Sequence, residues 1–485
     1  MGMKIILFIS TFLCLFAAKA VEIRLNYTPV ANLAYQLDCV SEAIHACSDQ
    51  NYKLLWEKEF VKDDADRALI KAWAEVMNKY KVNATLAKSD LSVDLSHKTR
   101  IASFEAKNTN DYLSRMDLVM LTSDRIKIAK IINHFTPRFD SWWNKQAAGH
   151  GKKFVAATDA LLKRKDILKL INQFVSFYEA ELPADFSITL NLFFRPELVK
   201  EATSGQQLDN YAVSEFLANE DPKQRLDVVL HELCHFLFKS SDPAKFATLK
   251  KSFSNLKTLQ ATSAHNMMNE ALAAAFGNGI VNKIFAPKDR WEKYLAHKNS
   301  FYNNHYIDTG AKAIMPWLEE QLIQGKTLYH PEFVPTYVAK LNERFGPKLE
   351  SPKVLLSYMY FIFDEEFKYD FENDIHKNIF STQAWWGDWN DKEVVTKFKE
   401  NPDVTGLIAV KPENLSKLTS HKLVSKKDLQ AIKKRMQGKP AILYSVKKSP
   451  SAVTYIIVAK NHTDAVKQLE RLSRQDTGFQ GLLKD

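Results

Sequence analysis

The feature that most constrains this chain is a pair of histidines, His231 and His235, placed four residues apart in an apolar stretch. The stretch VVLHELCHFL at 228–237 has the length and composition of a buried helix, and Asp221-Pro222 supplies an N-cap and a first-turn proline ahead of it. On a helix the two histidines project from the same face. Buried ionisable groups cost free energy without a partner, so this helix must fold against something that binds them.

The spacing of these residues predicts a metal site. Two imidazoles one helical turn apart can share one zinc ion at about 2.0–2.1 Å. Glu232, next to the first histidine, is placed to act as general base toward a water molecule whose pKa zinc lowers to about 7. The alternative is a structural helix whose histidines are only hydrogen-bonded in the core.

A catalytic zinc site needs a third protein ligand, and the best candidate downstream is Glu270. It is the single acid in the helical stretch HNMMNEALAAAF at 265–276, where four alanines would let this helix pack closely on the motif helix. A solvated or core-capping glutamate is the alternative interpretation. His265, five residues earlier and therefore on another part of the helix surface, is the second candidate ligand.

These residues resemble the gluzincin branch of zinc metallopeptidases, in which a glutamate on a second helix completes an HExxH site. The resemblance rests on HELCH and on Asn269-Glu270, thirty-five residues after its last histidine, and it covers roughly 186–322. It implies a zincin fold, with a mixed sheet above the active-site helix and an edge strand that pairs with substrate. It also implies that His231, His235 and Glu270 are the ligands and that Glu232 is the base.

Two related families fit less well. The metzincin pattern requires a glycine and a third histidine shortly after the motif, and FLFKSS at 236–241 contains neither. A Gly-x-Met-x-Asn segment, typical of the large aminopeptidases, does not precede HELCH.

The resemblance further implies a tyrosine or histidine beyond the third ligand that stabilises the oxyanion of the transition state. The segment FYNNHYID at 301–308 concentrates such donors. We expect Tyr306 to take this role, followed in preference by His305 and then Tyr302. Aromatic packing is the alternative for each of them.

The pattern of the whole chain predicts an α+β protein with two parts. Residues 21–345 form the zincin-like region, mainly helical at 21–180 and with the metal-site core at about 186–322. A Gly- and Pro-containing linker at 346–352 precedes a smaller α/β domain at 353–485. Phe186–Phe194 is predicted as a strand, either the edge strand that binds peptide or a buried one. The tryptophans at 142–143 and 385–389 are interpreted as packing residues rather than a ligand platform.

The first twenty residues have the features of a cleavable signal peptide, with an apolar run at 5–16 and Ala18-Lys19-Ala20 as the cleavage site. A retained N-terminal anchor is the alternative. We therefore expect a secreted or periplasmic protein of 465 residues without a transmembrane helix. In such a compartment Cys39 and Cys47 could form a disulfide, whereas Cys234 is expected to be buried and unpaired.

The charge of the chain narrows the class of partner. Without Lys4 and Lys19 the net charge is +8, and the excess is spread out rather than gathered into a basic stripe with interleaved aromatics. Nucleic-acid binding is therefore not expected. The sequence predicts an exported zinc peptidase acting on peptides or proteins; the rival hypotheses are a non-catalytic zincin-like binding protein and a zinc hydrolase of a non-peptide bond.

Overall fold

The structure is a computed structural model that describes residues 21–483 apart from 44–46, 48, 81–82, 86–91, 184–185, 202, 209, 368–370, 372–373, 376 and 380–382. The predicted signal peptide at 1–20 lies outside the described residues. The described part of the chain combines many helices with a four-stranded and a six-stranded sheet, which confirms the α+β class.

The first part of the chain is largely helical after one opening strand, as its periodicity predicts. Its elements are β1 Glu22–Asn26, α1 Pro29–Val40, α2 Asp49–Glu59, α3 Asp64–Asn78, the small hairpin β2 Asn83–Thr85 and β3 Ser92–Asp94, α4 Leu95–Glu105, α5 Thr109–Met116, α6 Thr122–Trp142, a π-helical segment Trp143–Ala147, α7 Ala148–Leu162 and α8 Lys165–Tyr178. Helices α7 and α8 are separated by Lys163 and Arg164, and Arg164 is in extended conformation.

The first sheet follows, built from β1, β4 Ser187–Phe194, β5 Gly205–Leu208 and β6 Tyr211–Phe216 in the order β1-β4-β6-β5. Strands β1, β4 and β6 are parallel to one another, and β5 is antiparallel to β6. Strand β4 therefore lies inside the sheet. The idea that Phe186–Phe194 is an edge strand is wrong, because β1 and β6 use the backbone groups on both of its sides. Polar and apolar residues alternate up to Asn191, but every residue from Leu190 to Phe194 is buried, as is typical of an interior strand.

The helices that follow this sheet form the rest of the first region. They are α9 Lys223–Lys239, α10 Pro243–Asn255, α11 Leu259–Ala273, a π-helical segment Ala274–Val281, α12 Asn282–Phe285, α13 Lys288–Ala296, α14 His305–Gln324 and α15 Phe333–Phe345. One apolar core joins these helices to the first sheet and to the N-terminal helices. It ends at Val354.

The second region is organised by the six-stranded sheet, in the order β12-β10-β11-β9-β7-β8. Its elements are α16 Pro352–Leu355, β7 Tyr358–Phe363, β8 Gln383–Asp388, α17 Lys392–Glu400, β9 Thr405–Val410, α18 Ser416–Ser420, α19 Lys426–Met436, β10 Ala441–Ser449, β11 Ala452–Ala459, α20 His462–Ser473 and β12 Gly481–Leu482. Strands β8, β7, β9 and β11 are parallel, and β10 is antiparallel to both of its neighbours. Alternate residues of β7 enter separate apolar clusters on the two faces.

One detail just before the second region differs from the expectation, and one within it agrees. The segment expected to be a linker is a short 3-10 helix, Gly346–Glu350, and Leu349 within it is fully buried. The Trp385-Trp386 pair lies in strand β8, where Trp385 stacks on Tyr360 with ring centroids 4.7 Å apart, so it is a packing feature as expected.

Cys39 and Cys47 are joined by a disulfide, and Cys234 is buried and unpaired as expected. Across the described residues, no helix has both the length and the apolar character needed to cross a membrane.

Candidate metal site

Helix α9 carries the motif residues on the side that faces a cleft. His231, Glu232 and His235 are 7, 8 and 8% exposed, so each is nearly buried yet still reaches the cleft. The apolar residues next to them, Leu230, Leu233 and Cys234, are fully or almost fully buried in the core. The helix is thus fixed by its apolar face, which gives its polar face a defined position.

A second helical layer crosses α9 at His231. Helix α11 and the π-helical segment after it both pack on α9. At Gly277 a Cβ atom would lie 2.5 Å from the backbone nitrogen of His231, a distance that no side chain tolerates. The alanines at 271 and 273–275 are fully buried, as the close-packing prediction requires, but Gly277 marks the closest approach.

This packing brings the three predicted ligands together. The Nε2 atoms of His231 and His235 are 3.0 Å apart. The carboxylate of Glu270 lies 3.7 Å from the first and 3.5 Å from the second. One ligand atom from each residue falls within 4.8 Å of the others.

The donor atoms fit a cation. His231 Nδ1 is 2.9 Å from Asn278 Oδ1, and His235 Nδ1 is 3.0 Å from Asn269 Oδ1. An amide oxygen only accepts, so both rings carry a proton on Nδ1, and the Nε2 atom of each ring faces the shared point. Glu270 Oε2 is buried there without a hydrogen-bond partner in the described part of the chain. Three electron-pair donors facing one another need a positive charge between them.

The shifted pKa values of His235 and Glu270 also indicate that this cluster favours a positive charge. Burial on its own would lower the pKa of His235, but the negative charge of Glu270, 3.5 Å from its Nε2, raises that pKa to about 9. Burial would raise the pKa of Glu270, but the two histidines hold it well below the usual range for a glutamate. Without a metal these groups share a proton; a divalent cation would replace that proton.

Glu232 lies beside this cluster and not within it. It is absent from the group of converging ligand atoms, but its side chain lines the same cleft. Burial raises its pKa above the usual value, while the charges of His231 and His235 act in the opposite direction. A carboxylate in such an environment is a stronger base than one in water, which suits proton transfer.

The cleft has a volume of about 910 Å³, and its walls come from both layers of the region. One wall is α9 together with α11. Another is the segment 203–207, which includes most of the edge strand β5, and a third is the loop at 301–303. At Gly205 a Cβ atom would lie 2.6 Å from Val228 Cγ1 and 3.2 Å from Glu232 Oε1. The edge strand therefore lies directly against the motif helix at Glu232.

The candidate oxyanion donors occupy different places. Tyr302, the last of the three in order of expectation, lines the cleft, and its ring lies nearly parallel to that of His231 with centroids 5.9 Å apart. Burial and the charge of Glu270 raise its pKa well above the ordinary value, so its hydroxyl stays protonated. Tyr306 packs on Phe345, and His305 is exposed with Nδ1 3.3 Å from Thr309 Oγ1; the structure does not bring either to the cleft.

His265, the second candidate ligand, lies away from the cluster. Its ring packs between Phe253 and Tyr358, where α10, α11 and the second region meet. Burial, followed by the charge of Lys250, lowers its pKa to about 4. On α11 it is thus Glu270, and not His265, that shares the space between the motif histidines.

Sequence reasoning gave no role to Asn278, the hydrogen-bond partner of His231. It follows Glu270 by eight residues, and the π-helical segment between them changes the phase of the helix. A regular helical pattern therefore does not place Asn278 beside the motif. The sequence carried one weak signal, a glycine–asparagine–glycine run in an otherwise apolar helix.

Comparison with known proteins adds no family to this geometry. No protein-family model matches the chain, and no curated protein or solved structure matches it at a significant level.

Proposed function

We propose that this protein is an exported zinc-dependent peptidase of the gluzincin type, with His231, His235 and Glu270 as the metal ligands. The observation that carries the proposal is the convergence of two imidazole Nε2 atoms and one carboxylate within 4.8 Å on the wall of an open cleft. Two histidines and a glutamate are a ligand set of catalytic zinc sites, which leave a fourth position open. When bound, zinc supplies a Lewis acid that polarises a carbonyl group and acidifies water.

Glu232 is proposed as the general base. Its carboxylate is in the cleft next to the ligands but not among them, so it can take a proton from the attacking water and later give it to the leaving amine. The raised pKa of this buried carboxyl favours the first transfer, in which Glu232 acts as a base.

Tyr302 is proposed as the donor to the developing oxyanion. Its hydroxyl remains protonated over the whole physiological range, and its ring is held parallel to His231 on the cleft wall. This assignment replaces Tyr306, whose ring packs on Phe345 outside the cleft lining.

The edge strand β5 favours a peptide as substrate. Among the described strands, β5 pairs only with β6, and its residues 205–207 line the cleft. An added strand forms main-chain hydrogen bonds irrespective of sequence, with side chains alternating into pockets. Because β5 contacts α9 at Glu232, a peptide paired with it would present its backbone to the proposed base.

The packing of the first sheet and the disulfide also support the proposal. A mixed sheet with edge strand β5 packs against the motif helix, and this supports the proposal because the gluzincin resemblance implies a mixed sheet above that helix. The Cys39–Cys47 disulfide suits an oxidising compartment, where the predicted signal peptide would deliver the chain.

Metal analysis of purified protein lacking residues 1–20 tests the proposal. We expect one zinc per chain in the wild type and in His265→Ala, because His265 is away from the cluster. Glu270→Ala is expected to lose the metal. Absence of zinc from the wild type after reconstitution would contradict the proposal and favour a non-catalytic binding protein.

A further inference from the structure

The hydrogen bond behind His231 belongs to a longer chain of contacts. Asn278 accepts from His231 Nδ1 through Oδ1 at 2.9 Å and donates through Nδ2 to Asp227 Oδ2 at 3.4 Å. Asp227 is one turn before His231 on α9 and only 9% exposed. The two residues of α9 are thus connected through a side chain of the opposite helical layer.

Other donors fix the role of Asp227 as an acceptor. Asn282 donates to Asp227 Oδ2 at 2.9 Å, and the backbone nitrogen of Val228 donates to Oδ1 at 2.7 Å. The orientation of Asn282 is itself determined, because its Nδ2 also donates to the backbone carbonyl of Asn278 at 2.9 Å. Oδ2 of Asp227 therefore receives N–H groups only, and Asn278 must turn its amide nitrogen toward it.

We propose that Asp227 selects the metal-binding tautomer of His231 by orienting the amide of Asn278. With its nitrogen on Asp227, Asn278 presents oxygen to His231 and holds the ring proton on Nδ1. The reverse orientation would present an N–H to Nδ1 and move the ring proton to Nε2, the atom that faces Glu270. An imidazole nitrogen that carries a proton has no lone pair for a metal. Asp227 and Asn278 are positioning residues, since neither is among the converging ligand atoms.

His235 gives an internal comparison. Its Nδ1 faces Asn269 Oδ1 at 3.0 Å, and Asn269 belongs to the ligand helix α11 itself. A change at Asp227 should therefore alter the ring signals of His231 and leave those of His235 unchanged.

The decisive variants separate the acceptor atom from the charge. Asp227→Asn removes the charge but keeps an oxygen that can accept from Asn278 and Asn282, while Asp227→Leu keeps the size and removes the acceptor. Asn278→Ala removes the connecting amide and leaves Asp227 intact, so it tests the same contact if the leucine variant does not fold. Asp364→Leu, which removes a buried carboxylate of the second region, is the control for a general loss of stability.

The first measurement is nitrogen-15 NMR of the histidine rings in the purified, metal-free chain, with the His231 signal assigned by substitution. We expect the Nδ1–H tautomer of His231 in the wild type, Asp227→Asn and Asp364→Leu. A shift toward Nε2–H is expected in Asp227→Leu and Asn278→Ala. The second measurement is zinc affinity by competition with a chelating dye. Asp227→Leu and Asn278→Ala should weaken binding by about 10- to 100-fold, the usual effect of losing a residue that orients a ligand.

The outcomes are distinct from those of the proposed function, on which the affinity measurement rests. An unchanged His231 tautomer in Asp227→Leu and Asn278→Ala would overturn the inference. So would an equal effect of Asp227→Asn and Asp227→Leu, because the charge and not the acceptor would then be responsible. If the wild type binds no zinc, the proposed function fails, while the NMR of the metal-free chain still decides whether Asp227 controls the tautomer.

Discussion

The two regions of this protein bury different kinds of side chain beneath similar layers of helix and sheet. Around the first sheet, buried charged and polar groups are frequent, including Arg195, Glu215 and the motif residues of α9. Among the described residues from 353 onward, Asp364 is the one fully buried acidic or basic side chain, and apolar clusters cover both faces of the second sheet. Buried polar groups cost free energy unless they are paired, and real proteins tolerate that cost mainly at functional sites, so the contrast supports our proposal that the site lies in the first region.

The largest effect expected from this contrast is on hydrolysis. Glu232→Gln should retain zinc and lower peptide hydrolysis by about 10²- to 10⁴-fold, because it removes the general base. The same substitution at Glu366, an exposed carboxylate of the second region that pairs with Lys411, should leave hydrolysis unchanged. Rates of peptide cleavage and metal content are the readouts, and equal activity of Glu232→Gln and wild type would refute the catalytic assignment.

The next largest expected effect distinguishes Tyr302 from Tyr306 within the first region. Tyr302→Phe should lower kcat by about 10²-fold with zinc retained, because it removes a donor to the developing oxyanion. Tyr306→Phe should have little effect, since that ring packs on Phe345. A larger loss in Tyr306→Phe than in Tyr302→Phe, measured at saturating substrate, would restore the expectation drawn from the sequence.

Alanine substitutions at Gly277 and Gly406 compare the packing of the two regions directly. Gly277→Ala places a methyl group 2.5 Å from the backbone of His231, whereas Gly406→Ala meets the ring of Phe398 at 2.6 Å. Backbone yields less easily than a ring, so we expect Gly277→Ala to lower the free energy of unfolding by about 3 kcal/mol and Gly406→Ala by about 1 kcal/mol. Urea unfolding measures both, and zinc affinity should fall only in Gly277→Ala. Equal zinc binding by the two variants would show that the helix crossing does not position the ligands.

The smallest effect concerns the boundary between the regions. The pKa of His265 is lowered from 6.5 to about 4 in the folded protein, so the unfolded chain binds the proton more tightly. This contribution to stability is complete above pH 6.5 and is lost as the pH falls toward 4, by about 2 kcal/mol for a largely buried ring. His265→Gln should reduce the loss of unfolding free energy between pH 7 and pH 4.5. An identical pH dependence in the variant would contradict a buried, neutral His265.

The sequence allowed the motif helix, Glu270 and the α+β class to be predicted, because each depends on periodicity or on a fixed spacing. Strand β5 was missed, since GQQL has no apolar alternation, and its position follows from pairing with β6. The order of preference among Tyr302, Tyr306 and His305 also had no periodic basis, because loop geometry decides which of them reaches the cleft. Asn278 depends on a π-helical segment, and such a local widening leaves no clear pattern in a single sequence.

Helix α11 has one further consequence for the molecule. Thr262, Asn266 and Glu270 are spaced by four residues, so they follow one stripe of the helix. Thr262 donates to the carbonyl of Ser451 at 2.6 Å and Asn266 to that of Leu355 at 3.0 Å, both in the second region. The helix that presents Glu270 to the histidines is thus also hydrogen-bonded to the second region. A movement of the second region against the first would shift α11, and with it the position of the Glu270 carboxylate.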